Sequence, residues 1–300
     1  MSTTPAPRSL FDRLVDDAAV FPPGNAPVEV AWAEHLRLRS GPYGDVVGPL
    51  LIGASAARAL AAVAAASPPG RDTETAGTAY PGTVEVGVIA RPGTPVEDLV
   101  EAVDVLRGTP ALRVASVELA HDDAGSWRRA LELGVPVAVE VPRDGAVHHA
   151  ALDAVAAAAG GGSVEVLAKL RTQSTPAAPV PTPRELAEFL TAARERALPL
   201  KLTGGLHHVV AHDEPVAGGG SEPQHGLLNV LVAVHHLEGG ATLRDLEATL
   251  ELRDAPALAA LVRGLDERAV ARLRARFRSF GCCGVLDPVG ELVDLGLLAP

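Results

Sequence analysis

The runs PVAVEV (136–141), AVHHAALDAVAAAA (146–159), VEVLAKLRT (164–172), PRELAEFLTAARERA (183–197) and PLKLT (199–203) alternate strand, helix, strand, helix and strand. The β-type runs are short and apolar with β-branched residues, the helical ones are Ala- and Leu-rich, and Gly160-Gly161-Gly162 breaks the first helix from the next strand. Strands joined by helices pair in parallel, because a parallel neighbour can be reached only by a crossover connection. The same alternation extends in both directions. Toward the N-terminus it predicts strands over Ala18–Phe21, Val46–Gly53, Thr83–Ala90 and Val114–Ala120. Their helices begin near Pro27 and cover Ala56–Ala66, Val96–Arg107 and Ser126–Leu133. Toward the C-terminus, helices fill Leu227–Arg276 ahead of an eighth strand, Phe280–Leu286, and a short closing helix.

Eight strand–helix alternations are the number that closes a parallel barrel, so the expected fold is an α/β (β/α)8 barrel forming one domain over residues 1–300. Residues 1–17 form an N-terminal extension, in which Arg8–Asp17 is expected as a helix plugging the bottom of the barrel. Residues 67–82 are Pro-, Gly- and Thr-rich and read as a mobile loop, and 204–226 as a His- and Gly-rich active-site loop. Residues 227–276 are a helical insertion before strand eight. An open doubly wound sheet shares the alternation, but no G-x-G-x-x-G turn follows the early strands.

The formal net charge of −11, without a basic run, argues against nucleic-acid binding. No apolar stretch of about 18 residues is present to span a membrane. The start lacks the pattern of a secretory signal, and Cys282 and Cys283 are adjacent, so the expectation is a cytoplasmic protein without a structural disulfide. A homo-oligomer is compatible with this composition. Of the 26 basic residues only Lys169 and Lys201 are lysines. In a chain that otherwise uses Arg, a retained lysine points to chemistry that the permanently protonated guanidinium cannot perform.

Both lysines fall on expected strands, six and seven. Alternation places Glu165, Lys169 and Arg171 on one face of strand six and Lys201 and Thr203 on one face of strand seven. The outer faces must pack on helices, so these charged faces are expected inside the barrel, together with Glu118 of strand four and Glu140 of strand five. Lys169 and Lys201 are therefore candidate nucleophiles, and Glu118 and Glu140 candidate proton carriers. The structural alternative is a mutually neutralising layer of ion pairs.

After strand seven, Gly204 and Gly205 allow close backbone approach to an anion, and His207, His208 and His225 flank the structured ends of the loop. Arg171, Thr203, His207, His208, His225 and Asn229 are candidate substrate contacts. The His spacing fits no established zinc signature, so no cofactor is called for. Cys282 and Cys283 read as small core residues without an assignable base, Asp16 and Asp17 as preceding strand one, and His148-His149 and His235-His236 as surface histidines. The arginines 268, 272, 274, 276 and 278 read as a solvated helix face.

AKLRT (168–172), KLTGGLHH (201–208), HGLLN (225–229), DAAVFPP (17–23) and FGCC (280–283) resemble, over nearly the whole chain, a group of uncharacterised bacterial proteins of similar length, mainly from actinomycetes. Where that group has Gly-Gly after the strand-six threonine, this chain has Gln173-Ser174. The arrangement of one lysine on strand six and one on strand seven also resembles class I aldolases of the deoxyribose-phosphate type. That resemblance implies a Schiff base on Lys169 tuned by Lys201, with Glu118 standing where that family has Asp. The expectation is a Schiff-base-forming lyase acting on a small anionic carbonyl compound, with either lysine as nucleophile. The alternatives are a divalent-metal-dependent hydrolase or isomerase using His207, His208 and His225, and a non-catalytic barrel that binds a ligand or protein.

Overall fold

The computed structural model describes residues 5–67, 82–162, 164–216 and 219–299. Eight parallel strands close into a barrel: β1 (Val15–Asp17), β2 (Val47–Gly53), β3 (Val84–Ile89), β4 (Leu112–Ala120), β5 (Val137–Glu140), β6 (Val166–Arg171), β7 (Leu200–Thr203) and β10 (Phe277–Cys282). The expected (β/α)8 architecture is thus the observed one. The two remaining strands, β8 (His212–Pro215) and β9 (Ser221–Gln224), form an antiparallel hairpin in the long connection after β7. Of the stretch expected as a mobile loop, residues 68–81 lie outside the described residues.

Helices α1 (Val28–Ser40), α2 (Ala57–Ala66), α3 (Val96–Arg107), α4 (Gly145–Gly161) and α5 (Pro183–Glu195) follow successive strands. Helix α5 starts cleanly because Thr182 and Glu185 form a reciprocal capping box and Pro183 occupies the first turn. The expected helix Ser126–Leu133 is a 3-10 coil flanked by Gly125 and Gly134, both left-handed. A 3-10 coil rises about 2.0 Å per residue against about 1.5 Å in an α-helix, which lets eight residues span the wall between β4 and β5.

The insertion before β10 holds α6 (Leu227–Glu238), α7 (Leu243–Glu251), α8 (Ala255–Arg263) and α9 (Glu267–Arg276). Helix α6 is apolar around most of its circumference and is buried accordingly, packed against α5, α7, α8 and α9. Helix α10 (Leu286–Asp294) closes the described chain. No helix among the described residues is long and apolar enough to cross a membrane.

Two ends of the barrel differ from the sequence reading. Arg8–Asp17 is not a helix: only Arg8–Leu10 makes a 3-10 turn, and Val15–Asp17 is itself the first strand. The segment still seals that end with apolar bulk, since Leu10, Phe11 and Leu14 are fully buried. The apolar run Ala18–Phe21 draws the eye as a strand, whereas Asp16 and Asp17 disfavour one by propensity. Tertiary partners override that preference. Asp16 points inward to Lys201 and Ser279, and Asp17 meets His35 of α1 at 2.9 Å in a buried pair. The eighth barrel strand also starts three residues earlier than expected, so Arg278 lies on β10 and pairs with Glu165 at 2.6 Å rather than on a solvated helix.

Candidate functional site

Register, more than any single contact, assembles the site. In the parallel ladders Glu140 lies opposite Lys169, Lys169 opposite Lys201, and Lys201 opposite Ser279, one row around four adjacent strands. Glu118 of β4 and Asp16 of β1 reach into the same layer. The result is a chain of six alternating charges. Asp16 and Glu118 both accept from the Lys201 ammonium, and Lys169 Nζ lies 2.9 Å from Glu118 Oε2 and 3.0 Å from Glu140 Oε2. Arg171 closes the chain with two bonds to Glu140, at 3.0 and 3.3 Å. At the other end Ser279 Oγ donates to Asp16 Oδ2 at 2.8 Å.

Three carboxylates and three cations neutralise one another, which is what allows Asp16, Glu118, Lys169 and Lys201 to be buried while Glu140 and Arg171 stay partly exposed. They are not equivalent. Burial alone would raise the Glu118 pKa, but the charges and hydrogen bonds of Lys169 and Lys201 outweigh it and hold it at about 2. Burial likewise works against the Lys201 charge, yet its two carboxylates raise its pKa above the ordinary lysine value. Asp16 has only one cation and one hydroxyl against the same burial, and its pKa is raised. Glu140 is lowered, because Lys169 and Arg171 outweigh its burial.

Above this layer, at the C-terminal ends of the strands, opens a cavity of about 710 Å³. Lys169, Glu140 and Arg171 line it, together with Thr203, Gly204 and Gly205. Lys201, Glu118 and Asp16 lie beneath and do not reach its wall. The two lysines, equal in the sequence, are therefore unequal in position. Gly204 and Gly205 both adopt φ of +71°, and a Cβ at Gly204 would come within 2.7 Å of the Gln173 side chain, so the double glycine lets the chain turn at the rim.

The histidines do not form one group. His207 turns toward Asp287 and the two cysteines. His208 Nδ1 lies 2.5 Å from Glu291 Oε1 and its ring packs edge-on to His212, 4.3 Å between centroids. His225, expected to hold an anion, is instead buried, its Nε2 tied to the Pro181 carbonyl at 2.8 Å. Burial lowers its pKa, so it is a neutral clasp. Thus His207, His208 and His225 do not converge on a metal site. The His/Cys/Asp/Glu group whose ligand atoms come within 4.8 Å of one another among the described residues is His208, His212 and Glu214, which sits away from the cavity wall.

Asn229 is also corrected from substrate contact to structural anchor. Fully buried, it accepts from the Ala211 amide at 2.9 Å and donates to the Thr249 and Leu252 carbonyls at 2.9 and 2.7 Å. Its polar atoms are spent inside the fold. His148 is buried on α4 rather than at the surface, with Nδ1 2.8 Å from the Pro142 carbonyl.

Sequence reasoning missed Asp16, which it set before the first strand. It also missed Arg91 and Arg143, which line the cavity from the connections after β3 and β5. Their position immediately past strand ends was the signal available. With Arg171 they give the mouth three guanidinium groups against the single lining carboxylate of Glu140.

No family model and no curated protein sequence matches the chain. The geometry alone therefore carries the reading of function. Active sites of (β/α)8 barrels sit at the C-terminal face, where this cavity opens.

Proposed function

We propose that the protein is a Schiff-base-forming lyase of the class I aldolase kind, acting on a small anionic carbonyl compound with Lys169 as its nucleophile. The observation that carries this reading is that Lys169, alone of the two lysines, lines the cavity, while Lys201 lies beneath it clamped between Asp16 and Glu118. With no side-chain atom on the cavity wall, Lys201 cannot reach a carbonyl compound bound there. Its ammonium lies behind Lys169, across their shared partner Glu118.

In the proposed reaction the Lys169 amine adds to the carbonyl carbon, and the oxygen takes a proton to give a carbinolamine. Loss of that oxygen as water, on taking a second proton, leaves a protonated imine, which accepts the electron pair released when the bond between its α and β carbons breaks. The β-hydroxyl gives up its proton as the β carbon leaves as a carbonyl, and the remaining enamine is protonated and hydrolysed to free the product and Lys169. Glu140 is the proton carrier. It borders the cavity, and once Lys169 gives up its charge, part of what held the Glu140 pKa down is gone. Glu118, which the sequence reading paired with Glu140 in this role, is assigned a different one. With a pKa of about 2 and no access to the cavity, it stays an ionised spacer between the lysines. Arg91, Arg143 and Arg171 supply the charge for the substrate's carboxylate or phosphate.

The test is cyanoborohydride trapping with pyruvate, glyoxylate and glyceraldehyde 3-phosphate, followed by peptide mass mapping. The expected adduct is on Lys169, absent in K169M. No adduct on Lys169 with any of the three overturns the reading.

A further inference from the structure

The rim of the cavity carries a second nucleophile that the Schiff-base chemistry does not use. Cys283 follows β10, is half-buried and lines the cavity beside His207. Its Sγ lies 3.4 Å from His207 Nε2, and the opposite nitrogen, Nδ1, lies 2.8 Å from Asp287 Oδ2. The two thiols and that carboxylate raise the His207 pKa to about 11, so Nε2 is the atom that takes up and holds the Cys283 proton, pairing an imidazolium with the thiolate. The neighbouring thiol is unlike it: Cys282 is buried and donates to the Gly284 carbonyl at 3.3 Å.

Two glycines make the arrangement fit. A Cβ at Gly284 would lie 2.1 Å from Asp287 Oδ2, so only glycine lets that carboxylate fold back toward the imidazole. A Cβ at Gly24 would lie 2.7 Å from the Ala19 carbonyl and 3.1 Å from Cys283 Cβ, so glycine also brings a backbone amide up to the sulfur. Burial opposes the Cys283 thiolate, but His207 and the amides of Gly24 and Cys283 itself outweigh it and lower the thiol pKa, whereas burial raises that of Cys282.

We propose that Cys283, with His207 as its base and Asp287 orienting the imidazole, is a covalent nucleophile toward small carbonyl compounds that enter the cavity. The thiol proton passes to His207 Nε2, and the sulfur adds to the carbonyl carbon. The C=O π pair moves to oxygen, and the oxygen takes the proton back from His207. The product is a thiohemiacetal. Nothing is oxidised or reduced and no group leaves, so the step is reversible and needs no co-reactant. That the electrophile is a carbonyl rests on the proposed lyase reading; the nucleophilic character of the site does not.

The experiment treats the full chain at pH 7 with limiting iodoacetamide and maps the alkylated peptides in wild type, C282S, H207Q, D287N and K169M. Cys283 is expected to react at least tenfold faster than Cys282 and than N-acetylcysteine. H207Q should slow it about tenfold and D287N several-fold, with K169M unchanged; C282S serves to assign the alkylated sulfur. Alkylation of Cys283 no faster than of N-acetylcysteine, or full reactivity in both H207Q and D287N, overturns the site. In a second arm glyoxylate is added to K169M, which cannot form the imine. Protection of Cys283 of fivefold or more supports the thiohemiacetal even if no borohydride adduct forms on Lys169, and absence of protection overturns the carbonyl assignment.

Discussion

Replacing Glu118 by Gln removes the carboxylate that both lysines share while keeping its shape. Glu118 titrates near 2 in the folded barrel against an ordinary value of 4.5. At about 1.36 kcal/mol per pH unit, that interval corresponds to about 3 kcal/mol of stability at neutral pH. Because the folded pKa is the lower one, this stabilisation is complete above about 4.5, falls as the pH drops, and is gone below about 2. In E118Q each lysine keeps one carboxylate, Asp16 for Lys201 and Glu140 for Lys169, so the fold should survive. Urea unfolding at pH 7, 4.5 and 3 measures the difference from wild type. It should be about 3 kcal/mol at pH 7 and shrink steadily below pH 4.5. The raised Asp16 pKa contributes the opposite slope, but it is present in both proteins and largely cancels. A deficit under about 1 kcal/mol at pH 7, or one that does not shrink in acid, would refute the claim that Glu118 is held ionised by the two lysines.

Other consequences follow from the same geometry. Lys201 should keep its charge beyond the ordinary lysine range, so its 13Cε resonance in 13C-lysine-labelled protein should not move as the pH is raised to 10. N229A leaves the Ala211 amide and the Leu252 carbonyl without partners, and at about 1–3 kcal/mol each it should lower stability by about 2 kcal/mol or more in urea unfolding, yet leave trapping on Lys169 intact in the folded fraction. The double variant R91M/R143M should slow trapping of pyruvate about tenfold and that of neutral dihydroxyacetone little, read as initial adduct rates by intact mass.

What the sequence made legible was what periodicity encodes. The alternation from Pro136 to Thr203 placed β5, β6 and β7 to within two residues and put Lys169 and Lys201 on neighbouring strands with their side chains inward, because side-chain direction in a strand follows from position alone. What it hid depends on partners distant in the chain. Asp16 and Asp17 look like loop residues until Lys201, Ser279 and His35 are placed around them. Asn229 and His225 look like site residues because they are polar beside a glycine-rich loop, yet the backbone groups that consume their hydrogen bonds come from residues 181, 211, 249 and 252. Cys283 seemed to lack a base because His207 is 76 positions away in sequence and 3.4 Å away in space.

The two-lysine composition allows a direct measurement of the central claim. Protein labelled with 13C-lysine should give two side-chain 13Cε cross-peaks, assigned with K169M and K201M. On addition of a carbonyl compound that the cavity accepts, the Lys169 peak should shift to an imine position while the Lys201 peak stays that of an ammonium. A shifted Lys201 peak, or two unmoved peaks with pyruvate, glyoxylate and glyceraldehyde 3-phosphate alike, would contradict the account.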